Sequence, residues 1–321
     1  MAFDQELLTR IGFDHLSHHQ FTKEKVVLRD GRSADLWVHK ESGHGVLDPS
    51  FWEASEYYEA EYRNEYAATL GGESSPEDHL TTYGDLNRRQ FEVLATHLTD
   101  ETKYLEIGCS FGGVLAHVEA AGVDKCVGVD PNKEDCAFVS NRLAKSQIIN
   151  DTFEDVELED DHFDLIASFE VLEHIANPRQ FLEKAARLLS SGGRLCIEVP
   201  NHDDALLRNY KNRGYRNFYY HKAHIHYFTP TSLSELCKSC GLTGQVSGLQ
   251  MYPFFNQVHW LLNEGPQESG DLALHWLDPA KGTSDIDLKI NQFYEDVSQA
   301  YVRLVETNLA SDCLIFMGRK S

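Results

Sequence analysis

Long apolar runs are missing from this sequence. No stretch approaches the roughly 18 apolar residues that a membrane-spanning helix needs. Basic charge is also scarce: 29 Lys and Arg stand against 51 Asp and Glu, a formal net charge of −22. Such a surface repels nucleic-acid phosphates and anionic membrane, so neither is expected as a partner. Any anionic ligand would then need a local basic pocket. The cysteines lack the paired spacing of a zinc site, because Cys237-Lys238-Ser239-Cys240 has no second pair to complete four ligands. Seven cysteines at irregular spacing read as free thiols in a reducing compartment. The start, MAFDQELLTRIGFDHLSHHQ, lacks the basic and then apolar pattern of a secretory signal, and the cytoplasm is the expected location. Internal repeats and low-complexity tracts are absent as well.

What is present is an alternation of short apolar strands with amphipathic helices. Strands are expected at 103–107, 125–129, 147–150, 163–168 and 194–199, with helices at 85–98, 112–121, 132–144 and 178–189 between or before them. The turn Ser191-Gly192-Gly193 should end the last of these helices. This order implies an α/β fold with a parallel sheet covered on both faces. Beyond it come a helix at 232–240, a strand at 242–249, a long helix at 286–306 and a final strand at 312–318. Residues 263–284, rich in Gly, Pro, Asp and Ser, should form a loop or a mobile lid. Before the core, Lys25–Leu28 and Asp35–His39 look like strands around an Asp30-Gly31 turn. The aromatics at 51, 52, 57, 58, 62 and 66 fall near helical spacing, as a helix packed on the core or a lid over the site. The expected organisation is an N-terminal arm over 1–75, a ligand-binding core over 76–250, and a C-terminal helical insertion with the final strand over 251–321.

The chemistry begins at Glu106-Ile107-Gly108-Cys109-Ser110-Phe111-Gly112-Gly113, between a strand and a helix. Glycines there let backbone amides approach a ligand at a helix N-terminus. Asp130, which ends the second strand 22 positions after Gly108, suits both hydroxyls of a ribose. A dinucleotide fold would show G-x-G-x-x-G, but Ser110 holds the second glycine position and the glycines are spaced G-x-x-x-G. An acidic pocket without a pyrophosphate loop suits a nucleoside with a cationic amino-acid tail. That points to S-adenosylmethionine (SAM) rather than NAD. A glycine turn of another α/β domain is the structural alternative.

Residues 103–200 resemble a class I SAM-dependent methyltransferase, more narrowly the UbiE/UbiG-like and methyltransferase-23-like groups. Glu106–Gly112 matches the first motif, Asp130 the second strand end, and Phe163-Asp164-Leu165-Ile166 the fourth strand. Glu170-Val171-Leu172-Glu173-His174 matches the E-x-L-E-H signature, and Leu188-Leu189-x-x-Gly192-Gly193 the turn before the fifth strand. The resemblance implies a Rossmann-like, mostly parallel seven-stranded sheet with its last strand antiparallel. It also implies cofactor contacts. Glu106 and Gly108 would lie near the methionine amino and carboxyl groups and Asp130 at the ribose, with Cys109, Ser110 and Gly112 also counted among the cofactor-binding residues. Pro131 and Asn132 would lie beside the adenine, Thr152, Phe153 and Glu154 on its far side, and Phe169 near the methionine. Two departures are Ser110 in place of glycine and Thr152 where an Asp is common.

Methyl transfer to oxygen or nitrogen calls for positioning and sometimes a base. His174 follows the fourth strand, and His224 and His226 follow the fifth, so these three are the candidate catalytic residues. If 224–228 is extended, His224 and His226 share a face. The bland alternatives are a cap or a Glu170 partner for His174 and a hydrogen-bonded loop face for the others. Glu170, Glu173 and His174 together could suit Mg²⁺, but no resident metal is expected. Arg208, Lys211, Arg213, Arg216 and Lys222 form the most basic segment, as a seat for an anionic group or as a solvated charge run. The expected enzyme is a SAM-dependent methyltransferase of a small-molecule acceptor, with a sugar or sugar-nucleotide hydroxyl leading and a phenol of the quinone pathway second. An NAD-dependent oxidoreductase and a non-catalytic SAM-binding protein are the rivals from other classes.

Overall fold

The computed structural model describes residues 3–52, 75–274 and 279–320. In chain order the strands are β1 (Phe21–Val27), β2 (Ser33–His39), β3 (Gly45–Leu47), β4 (Lys103–Ile107), β5 (Lys125–Asp130), β6 (Gln147–Asn150), β7 (Phe163–Phe169), β8 (Leu189–Pro200), β9 (His226–Tyr227), β10 (Leu242–Leu249) and β11 (Cys313–Lys320). The central sheet has the order β10-β11-β8-β7-β4-β5-β6. Strands β6, β5, β4, β7 and β8 pair in parallel. The final strand β11 slots between β8 and β10 and runs antiparallel to both, as expected for the last strand.

This topology makes the site. The chain winds outward from β4 through β5 and β6, then returns to the other side of β4 as β7. The connections leaving the carboxyl ends of β4 and β7 therefore part in opposite directions, which opens a crevice there. Side-chain alternation decides what each face carries. Leu105, Ile107, Ile166, Leu195 and Ile197 pack in one core cluster; Tyr104, Leu165, Ala167 and Cys196 pack in the other. Glu106 and Glu198 share the face of Tyr104 and Cys196 and are buried with them.

Some boundaries move. Strand β8 starts at Leu189 rather than at 194: Gly192, at φ +79°, lets the chain bulge within the strand, and the β7–β8 register shifts between Phe163 and Leu165. The early hairpin is longer than expected, with Gly31 turning at φ +85°. It belongs to a four-stranded antiparallel sheet, β1-β2-β3-β9. Because β3 pairs with β9, that sheet draws on both sides of residue 75. The stretch 263–284 contains a short helix, Gly270–Leu274, rather than loop alone. The long helix, Asp285–Thr307, opens on a capping box of Ser284 and Asp287. Most of the expected aromatic helix, including Tyr57, Tyr58, Tyr62 and Tyr66, lies outside the described residues. Among the described residues, no helix is long and apolar enough to cross a membrane.

Candidate active site

The crevice is a cavity of about 730 Å³ at the carboxyl ends of β4, β5, β7 and β8. Its floor is the turn after β4. The Gly108 and Cys109 amides both donate to the Val129 carbonyl, at 2.8 and 3.2 Å, which ties the turn to β5. Gly108 has φ +73°, and a Cβ there would lie 2.4 Å from the Val171 side chain. Only glycine fits between the ligand space and that neighbour. Ser110 adopts the left-handed region at φ +45°, so the turn keeps its shape without the second glycine. Its amide donates to Asp130 Oδ2 at 2.8 Å, and the Asn132 amide donates to Oδ1 at 2.8 Å. The Asp130 carboxylate is thereby oriented at the cavity wall by two backbone donors.

Of the expected cofactor contacts, Glu106, Gly108, Cys109, Ser110, Asp130, Pro131, Asn132, Thr152, Phe153, Glu154 and Phe169 line this cavity. Gly112 does not. It turns the chain into the helix Gly113–Ala120 at φ +69°, and a Cβ there would meet the Val139 side chain at 2.8 Å. Gly113, one residue on, lines the cavity instead, beside Asn87. The Cys109 thiol is buried in the core, near the position a Cβ on Gly128 would take. Thr152 donates its hydroxyl to Asp155 Oδ2 at 3.0 Å, and Asp155 lines the cavity.

The histidines separate. His174 Nδ1 donates to the Ala223 carbonyl at 2.9 Å, which leaves the lone pair on Nε2, 3.6 Å from Glu173 Oε1. The His224 ring stands edge-on to it at 4.8 Å, and both line the cavity. Burial pushes His174 down to about 4 and His224 well below its ordinary value, so both are neutral bases at neutral pH. His226 lies elsewhere, which corrects its assignment as a catalytic candidate. The extended strand covers only 226–227, so His224 and His226 do not share a face. His226 Nδ1 meets His44 Nε2 at 3.1 Å under the stacked Phe13, joining β9 to the entry of β3.

Buried carboxyls surround the histidines. Both oxygens of Glu173 are buried without a hydrogen bond, and Gln90 Nε2 donates to both oxygens of Glu198 at 3.1 Å. Burial raises Glu170, Glu173 and Glu198, and neighbouring carboxylates add to it. Among the described residues, Glu173, His174 and His224 could offer ligand atoms to a metal, as could Glu170, Glu198 and Cys313. The cations of the basic segment 208–222 do not line the cavity: Arg208 pairs with Asp203 and Arg216 with Glu24, and none of the five is in the lining. The same segment contributes Tyr215, Phe218 and Tyr219, which with Tyr252 and Trp260 form an aromatic wall. Sequence reasoning missed these residues and Arg29, because elements far apart in the chain bring them together.

SAM fits these residues. The Asp130 carboxylate is set for a ribose diol, the Gly108 cradle is one that a Cβ would fill, and buried Glu106 offers an acid to a cationic tail. Comparison with known proteins agrees. Residues 79–245, just over half of the chain, match the family described as Methyltransferase domain. The mitochondrial ubiquinone biosynthesis O-methyltransferase of Dictyostelium discoideum is 25% identical over 111 residues, 30% of this chain and 35% of that one. The ubiquinone biosynthesis O-methyltransferase of Nitrobacter winogradskyi is 30% identical over 132 residues, 40% and 46% of the two chains. The chain thus spans a third to a half of the length of these two relatives. A SAM-dependent methyltransferase of Thermotoga maritima shares the fold at TM-score 0.51 and 17% identity, over 84% of this chain and 100% of that one.

Proposed function

The chain belongs to the methyltransferase-domain family, with a class I, SAM-dependent fold, and from that premise we propose that it methylates a hydroxyl oxygen on a small acceptor bearing an aromatic ring. One observation carries the reading: two neutral histidines, His174 and His224, stand together in a cavity walled by aromatic side chains. An aromatic wall accepts a ring by stacking. A neutral imidazole accepts a hydroxyl proton as the oxygen becomes nucleophilic. The two relatives named for ubiquinone biosynthesis are O-methyltransferases, so they share the acceptor atom. The five cations expected to seat a sugar-nucleotide phosphate are absent from the cavity lining, which removes that support for a sugar-nucleotide acceptor.

When bound, SAM supplies an electrophilic methyl group. The chain's own residues do the rest. Asp130 and Glu106 hold the ribose and the cationic tail, and the Gly108 turn allows close approach. His224 or His174 takes the acceptor proton at a ring nitrogen, and burial keeps water from competing. The test is a methyl-transfer assay on matched hydroxyaryl, aryl-amine and sugar acceptors, with product analysis locating the new methyl group. Methyl on a phenolic oxygen is the expected result; methyl on nitrogen alone, or on sugars alone, would overturn the reading.

A further inference from the structure

Carboxyl groups recur in the lining of the cavity, among them Glu106, Asp130 and Glu170 at the ends of β4, β5 and β7. Among the described residues that line it, Arg29 is the sole Arg or Lys. It comes from the β1–β2 hairpin, outside the residues matched to the family. Its backbone amide donates to the Tyr220 carbonyl at 2.8 Å, and its Nε donates to the Phe218 carbonyl at 2.8 Å. The guanidinium carbon stands 4.0 Å from the centre of the Phe218 ring. These contacts fix the plane of the guanidinium and leave Nη1 and Nη2 without a hydrogen bond or ion pair to a described residue. The neighbouring acids are committed: Asp30 pairs with Arg32 at 2.6 Å, and Glu24 with Arg216 at 3.1 Å. Lys222 is close by but does not line the cavity. The charge of Arg29 bears on His221 and His224, so it stands at the histidine end of the cavity.

We infer that Arg29 is the anchor for an anionic group on the acceptor, a carboxylate or a phosphate monoester, bound beside His221 and His224. The inference rests on the O-methylation reading for what occupies that end of the cavity. A half-buried guanidinium stacked on a ring, with its two terminal nitrogens unbonded to any described residue, matches a planar or tetrahedral oxyanion through paired hydrogen bonds. Among the described residues that line the cavity, no other Arg or Lys can compensate such a charge. An acceptor held there lays its ring on the aromatic wall, with its hydroxyl toward His224.

Benzoate, phenyl phosphate and neutral benzamide are the probes. Each is titrated by calorimetry into the complex with the demethylated cofactor S-adenosylhomocysteine, using wild type, Arg29→Gln and Arg29→Lys. At least one anion should bind tenfold or more tighter than benzamide, and which one names the group. Arg29→Gln should erase that preference and Arg29→Lys retain part of it, with cofactor affinity unchanged in both and the melting temperature lowered only modestly by the lost Phe218 contacts. Anions that bind no better than benzamide, or a preference that survives in Arg29→Gln, would overturn the inference. The hydroxylated form of the preferred anion is then assayed for methyl transfer. Arg29-dependent anion binding without methylation of that hydroxyl would sink the O-methylation reading and leave the anchor standing. With turnover, Arg29→Gln should raise KM tenfold or more at near-constant kcat.

Discussion

Glu106 shows how one residue couples ligand charge to pH. Burial pushes its carboxyl up to about 8 against the opposing hydrogen bond from the Tyr104 hydroxyl, and the charge of Asp130 adds to the rise. Without ligand it is therefore protonated at pH 7. A cationic ligand beside it favours the carboxylate, so SAM binding should release a proton, and affinity should rise as pH approaches about 8. Calorimetry in buffers of different ionisation enthalpy measures that release. The ligand's own ammonium titrates near the same pH, so the wild-type minus Glu106→Gln difference isolates the carboxyl; no difference would refute the linkage. The histidines behave in the opposite sense. His174 is lowered to about 4 by burial and His224 is lowered well below its ordinary value, so the base form is already present at neutral pH. The saturated rate should stay level from pH 8 to about 5 and fall below that. Replacing the working base, His224→Ala or His174→Ala, should lower kcat by about 10²–10⁴-fold with SAM affinity unchanged. Full activity in both variants would mean that positioning alone drives the reaction.

Among the elements, the small sheet β1-β2-β3-β9 borders the histidine end of the cavity, where the acceptor is proposed to bind. It carries Arg29 on its hairpin and delivers the chain to His224 just before β9. His226 and His44 hold it together from within, buried at 1% and 0% exposure with a 3.1 Å contact between rings. His226→Ala would leave His44 Nε2 without that partner and open a void under Phe13, at a cost of about 1–3 kcal/mol. The expected outcome is a lower melting temperature with kcat and SAM affinity within a few-fold of wild type. A large loss of kcat in folded protein would return His226 to the catalytic group.

The whole molecule holds two opposed sets of buried titratable groups. Glu106 and Asp204 are raised to about 8 and Asp312 to about 7 by burial, so their protons stay on in the native state after the unfolded chain has lost them. Their contribution is full below the ordinary carboxyl range and is lost as pH rises to about 8. His174 and His226, lowered to about 4, and His202, lowered to about 3, contribute above pH 6.5 and lose that contribution as pH falls. Between about pH 4.5 and 6.5 the slopes oppose; above 6.5 only the acids act. The melting temperature of the ligand-free protein should therefore fall from pH 6.5 to 8, and saturating SAM should flatten that decline. A melting temperature that rises over this range would contradict the protonated acids. The antiparallel last strand was implied by the family resemblance; the sequence alone determined the α/β order, the glycine turn and the Asp130 partner. These are local signals: hydrophobic period, glycine at a strand end, an acid at a set distance. The tertiary structure alone decided that Gly113 rather than Gly112 lines the cavity, that His226 supports a sheet while His224 faces the cavity, and that Arg29 reaches the site while the five cations of the segment 208–222 do not. Each of those outcomes depends on which distant element packs alongside, and neither spacing nor composition encodes long-range packing.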